Sequence, residues 1–521
     1  MTPGLRTDAA SPPVRRALAV AWALLVAFAV AYFWLLRDYK FQLGDEGIAL
    51  TDAWRVLRGD APHRDFFEVI PPGSFLPTAA AFYLLGVSME TSRLLTMAYA
   101  LGLLLGADAV LRRLVVDGRT RLVLAVLLIP FGVYYWPMPS HHWVADIAQM
   151  FAAVALLRGL DGTRPAAWAV AAGALTAWAG ASLQDQGFYF ALGLLVAFFP
   201  WVGDRDRARR LFLGWLAGAA AVTIGFAIYL LPNVSLSEFF FQTIWFPRAR
   251  YSLAAANQGS LLSGWEAFAT PTYWTGFLLH PPYLGSLFLL AAVLFIAPFV
   301  SLASLGAAVA FKWAARPRIG LVAALVVAHL ACCLHRWSLT NVTWAAPPMF
   351  IALAWALDRG AHHRLVAARL ASHAAGLSIL AAGLIVAVSN LGALDNRDAG
   401  RVAARSGMPW MMPGIAVAKT QQTLDAIEKY VPVGTPMFCY GYFPLFNFLT
   451  QRPNPTRFSI ILYPSYTTGE QAQEIMNSLD AHPDAHLLRQ APGHTDLDAW
   501  FEMHYQPEWS NGVWELLRRR Q

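Results

Sequence analysis

Long uncharged apolar runs constrain this chain more than any motif does, and Ala17–Leu36, Leu211–Leu231 and Leu284–Ala310 are the clearest of them. In lipid, every backbone N–H and C=O has to be paired without help from water, which a continuous run achieves as a helix. The chain therefore reads as a polytopic α-helical membrane protein. Only 14% of its 521 residues are charged, against roughly a quarter in soluble domains. The net charge of +7 comes mostly from arginines between the runs. Topology puts them there, so they are no sign of nucleic-acid binding.

Lysine occurs only at Lys40, Lys312, Lys419 and Lys429 while Arg and Ala abound, a bias associated with GC-rich bacterial genomes. Cys332 and Cys333 fall in an apolar run and leave Cys439 alone outside it, so no disulfide framework is expected. Arg15 and Arg16 precede an apolar stretch with no small-residue cleavage site behind it, which reads as a retained signal-anchor.

Spans are expected at approximately 17–36, 93–111, 122–138, 143–157, 165–183, 187–202, 211–231, 285–310, 319–334, 341–357 and 370–391. The stretch Ser74–Val87 would reach only about 21 Å as a helix, short of a hydrocarbon core of about 30 Å. Arginine placement decides its status. If it lies along the interface and the N-terminus is cytoplasmic, the inside loops hold sixteen basic residues: Arg112, Arg113, Arg119, Arg121, Arg158, Arg164, Arg205, Arg207, Arg209, Arg210, Lys312, Arg316, Arg318, Arg359, Arg364 and Arg369. The short outside turns near 139–142, 184–186 and 335–340 hold only Arg336. The opposite parity would violate the positive-inside rule. The expectation is eleven spans in a bacterial inner membrane, with the N-terminus cytoplasmic and the C-terminal domain periplasmic.

Residues 1–391 then form the membrane module, with outer loops at 37–92 and 232–283, and 392–521 form an extracytoplasmic domain. The second loop is rich in aromatics, as suits interfacial helices. In the tail, Ile415–Tyr430 and Gly469–Ala481 read as helices, and Pro436–Tyr440 and Phe458–Leu462 as strands, giving a small α/β domain. It holds no Gly-rich nucleotide fingerprint. Two stretches, Gly441-Tyr442-Phe443-Pro444 and Gln451–Arg457, read as loops packing the domain onto the membrane portion.

The first outer loop carries the chemistry: Phe41-Gln-Leu-Gly-Asp45-Glu46-Gly47, then Trp54–Gly59, Pro62–Glu68 and Pro71-Pro72-Gly73. An acidic pair just past the first span suits a group that takes a proton from an acceptor hydroxyl or holds the acceptor. The competing interpretation is a pair of solvated loop acids. The order of these elements, with a short helix ending Leu85-Gly86-Val87-Ser88, resembles the GT-C membrane glycosyltransferases, nearest to the protein O-mannosyltransferase and aminoarabinose-transferase (family 39-like) branch. The resemblance implies a GT-C-like fold with interfacial helices in the first outer loop, and an inverting transfer of sugar from a polyprenyl-phosphate donor at the outer face. It implies Asp45 as the base with Glu46 secondary, beside a positioning role or a neighbouring cation. It covers residues 17 to about 115 well and the remaining spans only by pattern.

Gln184-Asp185-Gln186-Gly187 stands where the family has a Lys-containing turn, but carries no Lys. Asp185 either orients an acceptor or caps the helix that follows. His142 and Asp146 share a helix face at i,i+4 spacing; an acid inside a span either serves a cavity or pairs with a His between helices. For a lipid-phosphate leaving group, Arg336 beside His335 ranks first, ahead of Arg248 and Arg250 in an aromatic stretch that also suits bulk anionic headgroups. No cofactor is expected, although loop carboxylates could bind Mg²⁺ or Mn²⁺ once assembled. The expected partners are a polyprenyl-phosphate-linked sugar, a lipid, glycan or protein acceptor, and the bilayer. The alternatives are a lipid or glycan transporter or flippase, disfavoured by the lack of an internal repeat, and a non-catalytic cell-envelope assembly scaffold.

Overall fold

A computed structural model of the chain describes residues 12–39, 41–114, 116–133, 137–255, 299, 301–303, 305–306, 316–333, 339–407, 415–490 and 495–520. The helices of the membrane portion are α1 (Pro12–Leu36), α4 (Met89–Arg113), α5 (Gly118–Phe131), α6 (His141–Asp161), α7 (Pro165–Ser182), α8 (Gln184–Gly193, extended by a π-helical turn Leu194–Phe198), α9 (Arg205–Leu230), α12 (Arg316–Cys333), α13 (Leu339–Ala361) and α14 (Val366–Leu391). They fall on the stretches expected to span; the one at 285–310 lies almost wholly outside the described residues. Among those described, α1, α4, α6, α9 and Val366–Val388 are both long and apolar enough to cross a membrane. Ser74–Val87 contains only the ten-residue helix α3 (Leu76–Leu85).

Small residues set the helix spacing. A Cβ at Gly173 would strike the Trp215 carbonyl, and one at Gly218 the Val170 carbonyl, so α7 and α9 meet backbone to backbone. Close approach of this kind replaces the hydrophobic drive that lipid does not supply. The arginine-bearing loops gather at one end of the bundle. There Arg318 pairs with Asp161 at 2.7 Å, Asp108 takes both Arg112 (2.5 Å) and Arg121 (2.8 Å), and Arg207 reaches the Leu160 carbonyl.

The other end carries α2 (Asp45–Leu57), α3, α10 (Leu236–Phe240), α11 (Phe246–Ala255) and the C-terminal domain. In that domain α15 (Ile415–Tyr430), α16 (Leu445–Thr450), α17 (Gly469–Asp480) and α18 (Asp496–His504) accompany a four-stranded sheet. The strands β1 (Met437–Tyr440), β2 (His486–Gln490), β3 (Tyr505–Ser510) and β4 (Trp514–Arg519) lie in the order β1-β2-β4-β3, and only β1 and β2 are parallel.

Phe458–Leu462, expected as a strand, is irregular. Side chains take the backbone groups a ladder would use: Asn454 donates to the Phe458 carbonyl at 2.8 Å, and Thr467 Oγ1 accepts from the Leu462 N–H at 3.0 Å. The C-terminal domain also shares one apolar core with the first loop. Phe41, Leu50, Phe66, Phe75 and Phe82 from that loop pack with Leu424, Ile427, Leu445, Phe446 and Phe448.

Candidate active site

The acidic pair opens α2, where carboxylates meet the positive end of the helix dipole. Asp45, Ile48, Ala49 and Asp52, at i, i+3, i+4 and i+7, share one helix face and line a cleft of about 70 Å³. Its other walls come from three places. Glu68, Val69 and Ile70 belong to the first loop, Ser140 and His141 to the head of α6, and Tyr442 and Ile460 to the C-terminal domain. Asp45 is half-buried and accepts a hydrogen bond from the Tyr442 hydroxyl.

Glu46 points the other way, into the protein. It is fully buried and pairs with Arg93 on α4, Nη1 to Oε1 at 2.6 Å and Nη2 to Oε2 at 3.1 Å. It also accepts from the Gln42 N–H at 2.9 Å, and Arg93 donates on to the Pro137 carbonyl. Burial pushes the Glu46 carboxyl up, and the Arg93 charge opposes that shift. Glu46 is therefore no solvated loop acid; it ties α2 to the helix bundle.

Asp52 and Glu68 form a second carboxyl pair, both buried. Burial raises Asp52 well above the ordinary aspartate range, and the adjacent Glu68 raises it further. Glu68 is also raised by burial, against the opposing bonds from Asp52 and from the Val69 and Ile70 N–H groups at 2.7 and 3.0 Å. A proton shared between the two carboxyls lets one donate to the other, in place of two buried like charges.

Loops from distant parts of the chain clamp this region. Gln242 accepts from the Glu68 N–H (3.1 Å), donates to the His63 carbonyl (2.8 Å), and lies 3.1 Å from His63 Nδ1. Arg457 donates to the same His63 carbonyl at 3.1 Å. His63 is buried with a left-handed φ of 64°, and burial lowers its imidazole to about 4, so it is neutral at pH 7.

The remaining sequence candidates are dispersed. His142 stacks on Trp344 with ring centroids 3.6 Å apart. Asp146, one turn on, bonds instead to His329 Nε2 on α12 at 2.7 Å and to Gln186 Nε2 at 2.6 Å. The His–Asp pair that joins two helices thus uses a histidine 183 residues away. Asp185 lies in the first turn of α8, where its carboxylate accepts the Gln186 N–H at 2.7 Å; the N-cap itself is Leu183. Arg248 is exposed and Arg250 half-buried on α11, and neither pairs with a carboxylate among the described residues. The first residue of that helix, Phe246, packs edge-on against Phe67 and Tyr466 in an apolar cluster with Val69, Ile70 and Ile460, which line the cleft. His335 and Arg336 lie outside the described residues. Among the described residues no three His, Cys, Asp or Glu side chains converge to hold a metal ion.

Sequence reasoning assigned no role to Asp52, Arg93 or Glu68, and read Tyr442 only as part of a loop packing the domain onto the membrane portion. Asp52 was legible as the i+7 partner of Asp45, given a helix there. Arg93 was legible as a charge at the head of an apolar run. Nothing local marked the Tyr442 hydroxyl as the partner of Asp45.

No known family model matches the sequence, and no curated protein matches it. Solved structures do resemble this one. ArnT from Cupriavidus metallidurans, solved bound to undecaprenyl phosphate, is 15% identical with a TM-score of 0.57, over 95% of this chain and 97% of that one. An oligosaccharyltransferase from Archaeoglobus fulgidus is 12% identical with a TM-score of 0.54, over 89% of this chain and 68% of that one. The arabinofuranosyltransferase AftD from Mycobacteria is 15% identical with a TM-score of 0.52, over 99% of this chain but only 40% of its own length. The likeness is one of fold: the chain shares the overall fold of these solved structures.

Proposed function

We propose that this chain is an inverting glycosyltransferase that moves a hexosyl or pentosyl group from a polyprenyl-phosphate donor to an acceptor hydroxyl. The observation that carries this reading is Asp45, a carboxylate set in a cleft between the membrane helices and the C-terminal domain of a GT-C fold. Asp45 accepts the acceptor's proton as its oxygen attacks the anomeric carbon. The bond from that carbon to the phosphate oxygen breaks, and lipid phosphate leaves. Attack opposite the leaving group inverts the centre. Arg248 and Arg250 on α11, with Arg336, offer guanidinium charge for the departing phosphate, where fixed electrostatic stabilisation contributes most of the rate.

Two facts support this assignment. The arginine-rich loops cluster at the end of the bundle away from the cleft, which under the positive-inside rule favours an outer-face, periplasmic site. A structural neighbour was also solved with undecaprenyl phosphate bound. The acceptor is a lipid, glycan or protein.

The test is Asp45→Asn in membranes supplied with polyprenyl-phosphate sugars, with protein levels matched. Loss of the base should remove about 10²–10⁴-fold in turnover. Normal turnover by the folded variant would take Asp45 out of the mechanism.

A further inference from the structure

The C-terminal domain sends a polar side chain of its own into the cleft. Tyr442 stands on the loop leaving β1. Gly441 turns that loop with φ 140°, a conformation that favours glycine, and a Cβ there would strike the Phe443 ring. The turn buries Phe443 against Trp514, ring centroids 4.4 Å apart, and leaves Tyr442 facing α2. The next residues are fastened to that helix and to the turn that leads into it. The Leu445 N–H donates to the Leu43 carbonyl at 3.1 Å, and Thr51 Oγ1 donates to the Pro444 carbonyl at 3.3 Å. Gly47 has no room for a Cβ, which would strike the Leu445 backbone nitrogen. The Tyr442 ring lies across Gly44, where a Cβ would strike it, and its hydroxyl donates to Asp45 Oδ1. The phenol is thus carried on a loop sewn to the helix that carries Asp45.

We propose that Tyr442 is a positioning residue for Asp45, so that the C-terminal domain completes the active site. This rests on Asp45 acting as the base. A carboxylate in the first turn of a helix can rotate about its side-chain bonds. A fixed phenol donor selects one rotation and favours the ionised form, the form able to accept a proton. Orientation matters at this precision, since a small misplacement of a reacting group slows a reaction greatly.

Among the described residues, the titratable groups near Asp45 include Glu46 and Asp52 on its own helix, Glu68 from the loop and His141 from α6. They shape the wild-type pH profile equally in a Tyr442 variant, so the difference between the two profiles isolates the phenol.

The experiment uses the full chain in nanodiscs formed directly from its host membranes, which carry the acceptor, and follows release of polyprenyl phosphate from polyprenyl-phosphate hexoses and pentoses between pH 4 and 9. Tyr442→Phe keeps the ring over Gly44 and removes only the hydroxyl. Its kcat should fall several-fold, with KM for the lipid donor and the melting temperature unchanged. The acid limb of kcat should rise by about one pH unit or more, the worth of a hydrogen bond to a charged group. Incorporation of 3,5-difluorotyrosine at position 442, a stronger donor, should move the limb the other way, which tests the idea even if Tyr442→Phe folds poorly. A lower kcat with an unmoved acid limb in both variants, or wild-type kinetics in both, would make Tyr442 a packing residue and overturn the proposal. Asp45→Asn is run in parallel: full activity there defeats the base assignment itself, whereas an inactive Asp45→Asn beside unaltered Tyr442 variants defeats this inference alone.

Discussion

Breaking the Glu46–Arg93 pair should unfasten the acidic helix from the bundle. The two side chains are 0% and 1% exposed, so neither charge can turn to water. Removing one partner of a buried pair costs about 3–5 kcal/mol, because it strands the other. Glu46→Gln belongs near the top of that range, since a guanidinium cannot shed its charge. Arg93→Met belongs near the bottom, about 3 kcal/mol, because the stranded Glu46 can take up a proton. Burial already pushes its carboxyl up. The double variant retains the Gln42 bond through the glutamine carbonyl and loses mainly the bond to the Pro137 carbonyl, so it should cost about 1–2 kcal/mol. The coupling between the sites should therefore reach about 6 kcal/mol. Unfolding of the four proteins in mixed micelles, followed by tryptophan fluorescence, measures the cycle. Arg93→Met alone should also recover stability as pH falls, because the folded state favours protonated Glu46 once its cation is gone. Additive single variants, with coupling under about 0.5 kcal/mol, would refute a buried ionised pair here.

His63 is held neutral with its imidazole lowered to about 4 from 6.5, so its contribution is present above the ordinary histidine value and lost as pH falls toward 4. The loss should amount to about 3 kcal/mol. His63→Asn, which suits the left-handed backbone, should flatten that limb in a melting-temperature series from pH 7 to 4; an unchanged slope would refute it. Asp52, raised by burial and by Glu68, contributes stability that is full below the ordinary aspartate value and lost as pH rises through its raised value. Asp52→Asn keeps a neutral donor toward Glu68, so above the ordinary aspartate value its melting temperature should fall less with rising pH than that of the wild type; an unchanged slope would refute this.

The sequence by itself determined whatever depends on local periodicity and on the solvent. Lipid offers backbone groups no partner, so apolar runs become helices wherever they occur, and the arginines between them sort to one end. The α15 helix was likewise legible at Ile415–Tyr430 from its own amphipathic pattern, and Asp45 with Glu46 from their place after the first span. Only tertiary structure decided which groups face each other. Glu46 meets Arg93 from 47 residues away, Asp146 meets His329 from 183, and Asp45 meets Tyr442 from 397. The two neighbouring acids received opposite surroundings because successive helix positions point about 100° apart. One therefore faces the cleft and the other the protein interior. Phe458–Leu462 had the composition of a strand, but side chains of Asn454 and Thr467 claimed its backbone first. Partner choice of this kind is made by long-range packing, which no local pattern of residues encodes.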